Sequence, residues 1–202
     1  FMKHHKQNGL HGVVAGLTVI SAVVLAGFSL PASAEEWYGA ASLGQTKIQE
    51  NVCGDLSALG YRPCSEDLTD TGLKLAIGNQ FTPNAALEFG YADLGEGKVT
   101  AAGVSCKVDA NGFGASLVGS LPVANQFSFT GRVGLFFWDA NVTCSAGAVS
   151  VSDSDSGTDL AFGVGARYDI TKTVSLRGEW EQYNLDDTDV DMLSLGLMVK
   201  FK

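Results

Sequence analysis

The chain closes on a strict two-residue alternation. From Asp191 onward, Leu193, Leu195, Leu197, Val199 and Phe201 share one parity, and Met192, Ser194, Gly196, Met198 and Lys200 share the other. Successive side chains of a β-strand point to opposite faces, so this spacing predicts a strand with one bulky apolar face. The second face is small or polar and ends in a lysine. A strand that is greasy outside and polar inside a closed barrel accounts for both faces at once.

The same alternation recurs upstream, giving eight segments in all. Trp37 and Leu43 stand against Tyr38 and Ser42, Leu73, Leu75 and Ile77 against Lys74 and Gly78, and Leu87, Phe89 and Tyr91 against Glu88 and Gly90. Phe113, Leu117 and Leu121 face away from Gly114 and Ser116, and Phe127, Phe129, Val133, Leu135 and Phe137 from Ser128, Thr130 and Arg132. Leu160, Phe162, Val164 and Tyr168 oppose Gly163, Gly165 and Arg167, and Val174, Leu176 and Trp180 oppose Arg177, Glu179 and Glu181.

Connections alternate in length. Thr82-Pro83-Asn84, Pro122 to Gln126 and Asp169 to Thr173 read as short turns. The polar stretch holding Cys53, Pro63 and Cys64, then Leu94 to Asp109, Asp139 to Gly157 and the acidic Asn184 to Asp191, read as loops. Segments of about ten residues suit a tilted membrane crossing. The expectation is an all-β fold, an eight-stranded antiparallel up-and-down transmembrane β-barrel.

A soluble barrel of lipocalin type would carry its large residues inward. Here the parity rich in Gly, Ala and Ser holds the charges Lys74, Glu88, Arg132, Arg167, Arg177, Glu179, Glu181 and Lys200. On a lipid face a mid-membrane cation costs about 2–4 kcal/mol, whereas charges inside a barrel pair with one another. These eight residues are therefore expected to form an interior ionic network that plugs the lumen. A gated pathway for small ions is the functional alternative.

Ahead of the first strand, Lys3, His4, His5 and Lys6 precede an apolar run from Gly12 to Leu30, and Ala32-Ser33-Ala34 follows. That order predicts a secretory leader at residues 1–34, cleaved after Ala34, rather than a retained transmembrane helix. The barrel domain is then expected at 35–202. Cleavage removes two lysines and no acid from a chain that already carries a net charge of −9, which argues against nucleic-acid binding. It also removes His4, His5 and His11, all the histidines the sequence contains.

Without histidine, hydrolytic acid–base or nucleophilic chemistry lacks its usual participant. Glu179 and Glu181 share a face, but Arg177 beside them points to salt bridging rather than a catalytic carboxylate pair. The acidic residues Asp153, Asp155, Asp159, Asp186, Asp187, Asp189 and Asp191 lack the glycine and distal glutamate of a calcium loop, so they read as solvated, with cation bridging to lipopolysaccharide. Neither a metal nor a cofactor is expected. The four cysteines, Cys53, Cys64, Cys106 and Cys144, allow three pairings in an exported chain. The pairing expected from loop order is Cys53 with Cys64 inside one loop and Cys106 with Cys144 joining the next two; peptide mapping that found Cys53 joined to Cys106 would refute it.

Gly78 to Asn84, continuing through Glu88-Phe89-Gly90-Tyr91 to Leu94-Gly95, resembles the second hairpin of the transmembrane domain of OmpA-type outer-membrane proteins. Arg132-Val133-Gly134 running to Trp138 resembles that family's fifth strand. Tyr168 to Trp180 resembles its third periplasmic turn and seventh strand, and Asp191 to Leu197 its eighth. The resemblance implies a monomeric barrel in the outer membrane of a Gram-negative bacterium, loops outward, in contact with membrane lipid and lipopolysaccharide. The peptidoglycan-binding domain of the larger family members is not expected.

The resemblance further implies insertion by the outer-membrane assembly machinery, for which Leu195, Leu197, Val199 and Phe201 would be the signal. Glu88, Arg132, Arg177 and Glu179 match the family's interior network. The chain departs from the family's proposed gate at Val118, where a lysine is usual, and at Arg167, where a glutamate is usual. The implied role is structural or surface-interacting and not catalytic. The alternatives are a low-conductance pore, or an adhesin or receptor acting through the loops.

Overall fold

The computed structural model describes residues 36–60, 62–186 and 188–201. The expected leader and its cleavage point, Asp187 of the acidic loop, and Lys202 lie outside those residues. Nine strands and one short helix are present among the described residues: β1 (Glu36–Ile48), α1 (Val52–Ala58), β2 (Cys64–Asp67), β3 (Thr69–Thr82), β4 (Ala85–Ala101), β5 (Val104–Ala124), β6 (Phe127–Ala146), β7 (Val149–Asp169), β8 (Val174–Leu185) and β9 (Thr188–Phe201).

Eight of the strands pair antiparallel with their neighbours, and the pairing of β9 with β1 closes the ring. Closure runs from Trp37 opposite Phe201 to Ile48 opposite Val190. Among the described residues no barrel strand is left with an open edge inside the membrane, where an unpaired backbone group has no water to bond. In the lower part of the barrel the bulky parity faces out: Leu43, Leu75, Ile77, Phe89, Phe113, Phe129, Leu135, Phe162, Leu193 and Leu195 are all exposed, and Val174, Leu176 and Trp180 of β8 are half-buried on the same face. At the short-turn end β3 hands over to β4 across Pro83 and Asn84, where the Gln80 side chain donates to the Pro83 carbonyl at 2.8 Å and Thr82 Oγ1 accepts from the Asn84 N–H at 3.2 Å.

Three features differ from the sequence expectation. Leu94 to Asp109 and Asp139 to Gly157 are not loops. They are the upper halves of β4 to β7, and β5 and β7 each run for 21 residues, where about 9–11 suffice to cross a bilayer. The acidic stretch is likewise mostly strand, since β8 continues to Leu185 and β9 begins at Thr188. The ninth strand, β2, pairs with the upper part of β4. It is linked to α1 by the disulfide Cys53–Cys64, and Asn51 caps the helix by accepting from the Gly54 N–H at 3.0 Å.

Why the long strands read as loops is visible in the register. Tyr91, Phe113 and Phe137 stand in one outward row across β4, β5 and β6, and the Tyr91 and Phe113 rings lie 5.3 Å apart. The next outward row is Asp93, Asn111 and Asp139. Above it the outward positions stay polar, while Val104, Val108 and Val142 occupy the opposite parity. The strands continue, but their hydrophobic phase inverts. An outward apolar face fits lipid; an outward polar face fits water, so the inversion marks the membrane surface.

At the opposite end, Phe201 is outward-facing and 47% exposed beside Trp37 at the seam that closes the ring. Phe201→Ala is expected to lower the fraction of assembled, heat-modifiable barrel recovered from membranes, and to do so more than deletion of Lys202.

Candidate functional site

The barrel interior carries the chemistry, in two layers. The lower layer is ionic. Lys74 comes from β3, Glu88 from β4, Arg132 from β6, and Arg177, Glu179 and Glu181 from alternate positions of β8, which all point inward. Lys74 Nζ lies 2.7 Å from Glu179 Oε2 and also pairs with Glu181. Arg132 Nη1 meets Glu181 Oε1 at 2.7 Å, and the same guanidinium pairs with Glu88. Arg177 pairs with Glu88 and places Nε 3.0 Å from Glu179 Oε2.

Three cations thus face three carboxylates. The side chains of Lys74, Glu88, Arg132, Arg177, Glu179 and Glu181 are each no more than 9% exposed. Burying charges is tolerable only when each is paired, and each of the six has an opposite charge beside it, while Arg132 Nε and Arg177 Nε and Nη2 make no hydrogen bond of good geometry. Because the six come from four strands, the cluster also clamps opposite walls of the barrel together.

Tyr38 of β1 completes the layer by donating its hydroxyl to Glu88 Oε1 at 2.9 Å. Its ring lies over Gly78, the facing residue on β3, where an added Cβ would collide with the ring. Gly78→Ala is expected to push Tyr38 off Glu88 and cost about 1–3 kcal/mol of unfolding stability. Tyr38→Phe placed in that background should add almost nothing, since the hydrogen bond is already lost.

The structure separates two of the eight sequence-predicted charges from this cluster. Arg167 sits nearer the short-turn end, with Nε 3.1 Å from Asp169 Oδ1. Lys200 pairs with Glu36 at 2.8 Å on the same rim. Both follow the inward parity and are neighbours of the cluster in register, Lys200 in the row that runs through Tyr38 and Gly78 to Glu88 and Arg167 directly opposite Arg177, yet each turns to a carboxylate of the short-turn end, so parity alone could not tell a rim pair from a central one. Val118 is buried beside Tyr38, Ala86 and Met198.

Above the ionic layer lies an apolar plug. Phe136, Trp138, Tyr183, Leu94, Leu185, Val190 and Met192 pack across the lumen, with Phe136 at 2% and Met192 at 0% exposure. The Phe136 and Tyr183 rings are 4.8 Å apart. Trp138 buries its ring and satisfies its indole N–H on Asp159 Oδ2 at 2.8 Å. The inward parity is therefore not small or charged throughout, as the alternation along most strands suggests. The visible sign of the plug in the sequence is that β6 is bulky on both parities here: Leu135 and Phe137 point outward, while Phe136 and Trp138 point in.

Two small voids of about 30 and 20 Å³ flank the ionic layer, each with room for about one water. The upper is lined by Lys74, Glu88, Arg132, Glu181 and Tyr183, and the lower by Tyr38, Thr130, Arg167 and Arg177. Every carboxylate of the layer is held by cations, an arrangement suited to bracing the barrel walls.

The cysteines lie outside the membrane band. Cys106 and Cys144 face each other directly across β5 and β6, with Cα atoms 4.0 Å apart. Their bond therefore joins neighbouring strands of one sheet, not two separate loops. Leu195, Leu197, Val199 and Phe201 form the outward apolar row of β9.

Comparison with known proteins agrees with this geometry. No curated protein matches the sequence. Among solved structures, Ail, the attachment invasion locus protein of Yersinia pestis, determined in complex with the heparin analogue sucrose octasulfate, is 18% identical, with 84% of this chain and 100% of that one covered and a TM-score of 0.57. Neisserial surface protein A is 15% identical, with 84% and 100% covered and a TM-score of 0.56. At such identities the likeness shows the fold. The model of one family, described as the outer membrane protein beta-barrel domain, matches residues 20–201, and the chain belongs to that family of bacterial outer-membrane barrels.

Proposed function

We propose that the protein is a non-catalytic surface-interaction barrel of OmpA type, anchored in the outer membrane and presenting its long hairpins to the outside. The observation that carries this reading is the sheet that continues beyond the membrane band. There β2, β4, β5, β6 and β7 remain paired in that order. From Val149 to Leu160, β7 pairs only with β6 among the described residues, because its pairing with β8 begins at Ala161. An unpaired strand edge offers backbone donors and acceptors to a partner.

The pore reading is weaker, since the ionic layer and the apolar plug occupy the lumen in series. A polyanion of the kind bound to Ail is also disfavoured here by a net charge of −9. The remaining parts of the reading are a leader removed after Ala34, insertion by the assembly machinery through the β9 row, a monomeric state, and contact with lipid and lipopolysaccharide.

Two measurements test the proposal. An epitope inserted at Gly147, at the turn between β6 and β7, should be detected on intact cells; detection only after the outer membrane is permeabilised would reverse the orientation. Purified protein in planar bilayers should give no steady conductance, and reproducible single-channel steps would move the assignment to a pore.

A further inference from the structure

At the hairpin end of the barrel, a cavity of about 340 Å³ opens above the plug. Its size lies at the lower end of the range of small-molecule sites, about 300–1,000 Å³. Leu94, Trp138, Leu185 and Val190 belong to the plug and also line the cavity, so its floor is the plug's upper surface. Val99 and Val108, on the inward parity of β4 and β5, supply part of its wall. This is where the inverted hydrophobic phase leads: apolar side chains that would face lipid lower down instead surround a water-accessible basin.

The charged residues around the basin are of one sign. Glu50, Asp155 and Asp186 line it and are exposed. None of the three is in an ion pair among the described residues. They come from three separate parts of the chain: the segment after β1, the upper half of β7, and the turn between β8 and β9. An apolar basin rimmed by carboxylates complements a ligand with a hydrocarbon body and a positive head.

We propose that this basin binds a small cationic amphiphile, its hydrocarbon tail on the floor formed by Leu94, Trp138 and Val190 and its cationic head among Glu50, Asp155 and Asp186. The tail leaves water, and the head gains attraction from three carboxylates beside a low-dielectric wall. Asp155 stands on the free edge of β7 but on its inward parity, opposite Ala140, so the basin takes its ligand on the inner face of that strand, beside the backbone edge that a partner would pair with.

The protein supplies its own probe. Of its three tryptophans, Trp138 lies on the basin floor, while Trp37 and Trp180 face outward on β1 and β8. In the folded protein held in phospholipid nanodiscs, octyltrimethylammonium should shift the Trp138 indole N–H resonance saturably and leave those of Trp37 and Trp180 following bilayer partition alone. Octyl sulfate of the same chain length should bind about tenfold more weakly or worse.

The triple variant Glu50→Gln, Asp155→Asn, Asp186→Asn should weaken octyltrimethylammonium by a similar factor. Val108→Phe, which fills the basin, should abolish saturation; unchanged heat-modifiable migration would show that each variant still folds. The proposal is overturned if Trp138 shifts without saturating in step with Trp37 and Trp180, if octyl sulfate binds as well as the cation, or if the folded variants bind like the unaltered protein.

Discussion

Glu88→Gln is expected to destabilise the barrel by about 3–5 kcal/mol, the cost of leaving buried charge without its partner. Glu88 is the shared partner of Arg132 and Arg177 and the acceptor of the Tyr38 hydroxyl. Its replacement leaves two buried guanidiniums sharing the two remaining carboxylates with Lys74. Urea unfolding in phospholipid vesicles, followed by tryptophan fluorescence, measures the loss. The exposed pair Lys107–Glu96, at 2.8 Å with both side chains 44% or more exposed, provides the contrast. Lys107→Ala should cost under about 1 kcal/mol. Equal costs for the two variants would mean that the cluster does not brace the walls.

Phe136→Ala should be comparably damaging, at about 3–5 kcal/mol, because it removes a ring that is almost wholly enclosed and leaves a cavity among Tyr183, Met192 and Trp138. The variant also separates packing from gating. With the ionic layer intact beneath it, the thinned plug should still pass no current in planar bilayers. A Phe136→Ala protein that conducts while keeping its stability would show that the ring serves as a gate and that the charges below it leave a path.

Much of this architecture is legible in the sequence, because a period of two assigns each side chain to a face and a charge on the small parity must point inward. Lys74, Glu88, Arg132, Arg177, Glu179 and Glu181 can all be found in this way. Arg167 and Lys200 obey the same parity yet make rim pairs, because height along the barrel depends on strand tilt and register, which no single segment records. Helix α1 is hidden for a different reason: with seven residues it has too little length to show a 3.6-residue period, and its Asn51 cap is the one local sign.

The sequence by itself determined the strands within the membrane, their outward faces and the need for interior charge pairing, since lipid admits only closed, apolar-faced barrels. Tertiary structure alone decided what happens above the row of Tyr91, Phe113 and Phe137. There the chain keeps its β-geometry but exchanges the solvents of its two faces, water outside and an apolar basin within. An alternation that changes phase looks, along one strand, like an alternation that has ended; only the neighbouring strands in register show that Val99, Val108 and Trp138 share one inner surface.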